Sequence, residues 1–147
     1  MASKKQTATV PIQHVPSVTT GQVAAFDRLK SQLSALYAEI SALSKKSADG
    51  AVNKFKLGIL NEKLAEINEL LGEDFKPSKQ FTVFDVDSLP SNSDVVMMLS
   101  QYHDALETWR SGHIHKIQGM YDIYDWYWNT DDGTSIDATP PTRYTDR

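Results

Sequence analysis

The side chains with the greatest chemical capacity in this chain crowd into one run, Tyr121-Asp122-Ile123-Tyr124-Asp125-Trp126-Tyr127-Trp128. Aromatic rings bury large areas, and tyrosine and tryptophan keep a polar handle, so such runs serve cores, protein interfaces and pockets that stack planar ligands. Stacking on nucleic acid calls for interleaved lysine or arginine. Here the interleaved residues are Asp122 and Asp125, which repel phosphate. Tyr121, Tyr124, Trp126, Tyr127 and Trp128, together with Trp109, are therefore candidates for an interface or a ligand pocket rather than for a nucleic-acid surface. A second candidate site is a lysine cluster, Lys45, Lys46, Lys54 and Lys56. It reads either as an anion or phosphate site or as a solvated turn kept soluble by its charge, and lysine alone does not separate the two.

Metal and catalytic chemistry find less support. His103 and Glu107 are four residues apart, and His113, His115 and Asp122 follow. Two histidines separated by one residue point to different sides of a helix, so His113 and His115 cannot both ligate from one. The zincin pattern HExxH does not occur, and neither does a glycine-rich phosphate loop or a Gly-x-Ser-x-Gly elbow. Asp104, Glu107, Asp122 and Asp125 supply carboxylates whose spacing shows only shared helix faces. No metal and no cofactor is expected.

These residues must be positioned by longer elements, and the clearest lie at 19–72. Phe26, Leu29, Leu33, Leu36, Ile40 and Leu43 are spaced 3, 4, 3, 4, 3, the a/d stripe of a heptad. Thr19 is the expected N-cap, with Gln22 completing a capping box and Val18 and Val23 placed as a hydrophobic staple. Lys45 and Lys46 fall in the last turn, where cations suit the helix dipole. A second stripe, Leu57, Leu60, Leu64, Ile67 and Leu71, repeats the spacing between an expected N-cap at Asp49 and Gly72 at the C-terminal end. The short connection Ser47-Ala48-Asp49-Gly50 makes the two helices antiparallel neighbours. In that register Arg28 and Lys30 face Glu66, Glu69 and Glu73.

Elsewhere the pattern is looser. Residues 1–18 alternate around Thr7–Ile12 and carry Pro11 and Pro16, which suggests an extended arm. Phe81-Thr82-Val83-Phe84-Asp85-Val86 is β-branched and aromatic enough for one short strand, packed on the helical hairpin or paired with another segment. Ser91 is the expected N-cap of a helix through Val95, Leu99, Tyr102, Leu106 and Trp109, with Asp94 at N3. A bend near Ser111-Gly112 then leads to a second helical segment on Ile114, Ile117, Tyr121, Tyr124 and Trp128. In that helix Tyr121, Tyr124 and Trp128 share one face while Trp126 and Tyr127 point elsewhere. From 130 the chain turns polar, and this tail is expected to become ordered only against a partner.

The expected fold is thus all-α: an antiparallel, coiled-coil-like helical hairpin (19–72), a short extended connector (73–90) and one or two C-terminal helices (91–129), with extended arms at 1–18 and 130–147. At 147 residues the chain suits one domain. A net charge of -4 disfavours a general nucleic-acid binder, and the lack of cysteine excludes disulfide frameworks. The N-terminus has no apolar core behind its lysines, so it does not read as a secretion signal, and no run is long enough to span a membrane. The expected setting is the cytoplasm or a virion. Narrow heptad stripes and surplus aromatic area suggest a homo-oligomer or a subunit of a larger assembly. The leading functional expectation is a non-enzymatic assembly protein, such as a virion or phage-encoded component, with arms that dock on neighbours. A nucleotide-sequestering oligomer and a small helical hydrolase are the alternatives.

Overall fold

The computed structural model describes residues 15–142. The arm expected at Thr7–Ile12 and the final residues 143–147 fall outside the described residues. Three helices are present, α1 (Thr20–Lys46), α2 (Lys54–Phe75) and α3 (Asn92–Ser111), followed by strands β1 (Ile114–Gln118), β2 (Tyr124–Trp128) and β3 (Asp137–Ala138). The described residues divide into two units: Gly21–Trp109 forms one, and 15–20 with 110–142 form the other. No helix among the described residues is long and apolar enough to cross a membrane.

In the helical unit α1 and α2 run antiparallel, with Arg28 paired to Glu66 at 2.9 Å and Lys56 to Glu39 at 2.6 Å. Val23, Phe26, Leu29, Leu33 and Ile40 of α1 are buried, as are Leu57, Leu60, Leu64, Ile67 and Leu71 of α2. The third side comes from Val95, Leu99, Tyr102, Leu106 and Trp109 of α3, all buried. The second stripe is thus wholly buried within the chain, and the first all but Leu36 and Leu43, which stay half-buried. Asn53, not Asp49, caps α2, its side chain accepting from the Lys56 amide at 2.9 Å. Ala51 and Val52 lie outside the helix because they bind the start of α3 instead: Val52 N–H donates to Pro90 and Asn92 N–H to Gly50. The Asn92 side chain adds a bond to the Ser47 carbonyl at 2.8 Å. Ser91 caps α3 through the Asp94 amide. Gly72 takes a left-handed φ of 70°, which ends the regular run of α2.

The stretch Phe81–Val86 is not a strand. Side-chain amides of α2, rather than a ladder, hold its backbone at Thr82 and Phe84. Asn61 accepts from Phe84 N–H and donates to Phe84 C=O, both at 2.8 Å, and Asn68 donates to Thr82 C=O. Phe81 then packs edge-on to Phe84 and Tyr102.

The all-α expectation fails beyond Gly112. In place of a second helical segment, β1, β2 and β3 form a three-stranded antiparallel sheet in that order. The spacing of Ile114, Ile117, Tyr121, Tyr124 and Trp128 mimics a heptad only because apolar residues are so dense there. Aromatic and β-branched residues favour a pleated surface, and Gly119 opens a turn that a helix could not hold. Up to residue 142 the polar tail is tied down within the chain. Arg110 donates to the carbonyls of Thr139 and Pro140 at 2.8 and 3.0 Å. Val18 exchanges backbone bonds with Asn129 and Asp131, which fastens the end of the N-terminal arm to the same unit.

Candidate interaction surface

β1 and β2 pair in the register Ile114–Trp128, His115–Tyr127, Lys116–Trp126, Ile117–Asp125 and Gln118–Tyr124. Alternation puts Tyr124, Trp126 and Trp128 on one face with Ile114, Lys116 and Gln118, and leaves Tyr127, His115, Ile117 and Asp125 on the other. The shared helical face expected for Tyr121, Tyr124 and Trp128 is therefore replaced. Tyr124 and Trp128 share a strand face with Trp126, and Tyr121 sits in the turn. Burial fades along the strands. Ile114 and Trp128 are buried, Trp126 and Tyr127 half-buried, and Tyr124 is exposed.

The turn between the strands is strained and carries a contiguous group of exposed apolar residues, Tyr121 being the most exposed large hydrophobic side chain among the described residues. Tyr121 (φ 57°, ψ 34°) and Asp122 (φ 60°) are both left-handed, as in a type I′ turn, and Ile123 N–H closes it onto Met120 C=O at 3.1 Å. Such turns ordinarily use asparagine and glycine. A tyrosine there costs roughly 1–2 kcal/mol of backbone strain. Asp122 is held by Gln118 Nε2 at 2.7 Å, which helps fix the turn. Relative exposure is 75% for Met120, 87% for Tyr121 and 59% for Ile123, with Ile117 and Tyr124 close to half exposed. Lys116 Nζ lies 4.6 Å from the centre of the Tyr124 ring.

The opposite face of the sheet bears a cleft of about 380 Å³ floored by Tyr127, with His115 and Ile117 beside it and the loop 129–135 as its wall. The loop is braced internally. Thr130 Oγ1 donates to Thr134 C=O, and Asp132 accepts from Thr134 N–H at 2.9 Å. That amide holds the Asp132 carboxyl below its usual range.

The other candidate residues do not converge. Lys45 and Lys46 end α1 as exposed side chains, Lys54 pairs with Asp87 at 3.5 Å, and Lys56 pairs with Glu39. Trp109 is core, stacked on Phe26 with centroids 5.8 Å apart. His113 is buried in the turn after α3 and His115 lies on β1, so neither is helical. His103 is half-buried, edge-on to Tyr37, and burial lowers its pKa with help from Lys30. No group of three or more metal-ligating side chains gathers among the described residues. Met120, Ile123 and Ile117 escape sequence reasoning because a helical period hides them. The available signal was Gly119 with Gln118 and Asp122 beside it, a turn composition between two apolar stretches. Neither a protein-family model, nor a curated protein, nor a solved structure matches this chain.

Proposed function

We propose that this chain is a non-enzymatic assembly protein that works by self-association and docking, as a component of a larger complex such as a virion. The observation that carries this reading is the hairpin 117–124, which exposes five large apolar side chains (Ile117, Met120, Tyr121, Ile123 and Tyr124). Contiguous apolar exposure of that kind marks an interaction surface. The strained turn supports the same reading, since left-handed non-glycine residues concentrate where a chain must present a side chain. The ends 1–14 and 143–147 serve as docking arms in this account. Deleting either should lower the oligomeric mass seen in sedimentation, with circular dichroism of each truncation as the check on the fold. Undiminished assembly of both truncations would remove the arms from the account.

A nucleotide-sequestering role draws its support from the cleft over Tyr127 and not from the lysines, two of which are engaged by carboxylates. Tryptophan fluorescence that stays flat across a nucleotide panel would end it.

A further inference from the structure

We propose that two copies of this chain pair antiparallel through the outer edges of their β1 strands, centred on Ile117. The inference deepens the self-association reading above and rests on it. Asn129 N–H donates to His113 C=O and Gly119 N–H to Ile123 C=O. Hydrogen-bonded pairs alternate in an antiparallel ladder, so His115 and Ile117 turn their backbone groups towards β2. Those of Ile114, Lys116 and Gln118 consequently point to the outer edge. β1 ends the sheet, so among the described residues no strand meets that edge.

The side chains choose the occupant and the register. A register centred on Lys116 sets two ammonium groups directly opposite each other, which is unfavourable. One centred on His115 needs the edge at Ile114, whose side chain is only 4% exposed. Centring on Ile117 avoids both. It stacks the half-exposed Ile117 on its symmetry mate and sets His115 opposite Gly119, which has no side chain to collide. It also sets Lys116 opposite Gln118 of the second copy. That Gln118 holds Asp122 at 2.7 Å, so the Lys116 ammonium meets a carboxylate from across the edge. The patch is thus complementary to itself, cation to anion, as a two-fold interface requires. Lys116 acts as a register selector, excluding the alignment in which it would face itself.

The chain has no cysteine, which allows a direct test. Ile117 would face its mate in a non-hydrogen-bonded pair with Cα atoms about 4.5 Å apart, within reach of a disulfide. Ile117→Cys in the full chain should oxidise to a covalent dimer at micromolar concentration, while His115→Cys should not. Ile117→Lys should weaken self-association in sedimentation by about tenfold or more, through lost contact and like charges. Lys116→Asp should weaken it as well, and the double exchange Lys116→Asp/Asp122→Lys should restore it. Circular dichroism of each variant checks that the fold is retained. Oligomers indifferent to Ile117→Lys, with no dimer from Ile117→Cys, would overturn this pairing and leave the assembly reading standing. A monomer at every concentration would overturn both.

Discussion

Replacing Tyr121 with asparagine should stabilise the protein. The tyrosine is 87% exposed, so shortening it removes little buried area. Its φ of 57° lies in the left-handed region, where an L-residue with a bulky side chain costs roughly 1–2 kcal/mol. Asparagine is several-fold enriched in that region and suits this place in a type I′ turn. The expected gain is about 1 kcal/mol, or a rise in Tm of about 3 °C for a chain of this size. Urea denaturation of dilute protein measures it, and hydrogen exchange localises it. The amide of Ile123, which closes the turn onto Met120, should exchange more slowly in the variant. Tyr121→Ala is the control, since it shortens the side chain but keeps a residue unsuited to that φ, and it should bring no gain. An asparagine variant no more stable than the wild type, with alanine equally or more destabilised, would refute the argument. It would mean that the ring makes favourable contacts outweighing the strain. A stabilising substitution at a displayed residue is what a function–stability trade-off produces, so the same variant should assemble less well.

Asn61→Ala removes both bonds to the Phe84 backbone and should cost about 1–3 kcal/mol, with exchange of the Phe84 amide accelerated well beyond the global effect. Leu64→Ala, at a fully buried site, should cost about 2–5 kcal/mol in urea unfolding, since the helical unit cannot collapse fully around the cavity. His103 carries a pKa lowered from 6.5 by burial and by Lys30. Between the lowered value and 6.5 the unfolded chain binds more protons than the folded one, so this contribution is complete above pH 6.5 and is lost as pH falls below it. His103→Gln should therefore flatten the acidic limb of stability measured between pH 7.5 and 5.5, and a limb of unchanged slope would count against it.

The two heptad stripes made α1 and α2 legible, because a run of apolar residues at alternating steps of 3 and 4 has no other regular solution. The cap at Ser91 was legible for the same kind of local reason. The N-terminus of α2 was not. Asp49 and Asn53 are equally good caps in isolation, and the choice fell to Pro90 and Asn92, which claim the intervening backbone. Phe81–Val86 has strand composition, yet two asparagines of α2 satisfy its polar groups, a long-range arrangement that no local pattern records. The hairpin was the largest loss. A run as aromatic as 121–128 fits periods of 3.6 and 2 alike, and the arbiter was Gly119 beside the polar pair Gln118 and Asp122. Of the candidate site, the aromatic run itself was legible. Which of its rings are core and which face solvent depended wholly on strand parity.

Native mass spectrometry of the full-length protein, sprayed over a range of concentrations, tests the central claim most directly. The account predicts multiples of the chain mass without added small-molecule mass, with the dimer growing as concentration rises. A bare monomer throughout would contradict it.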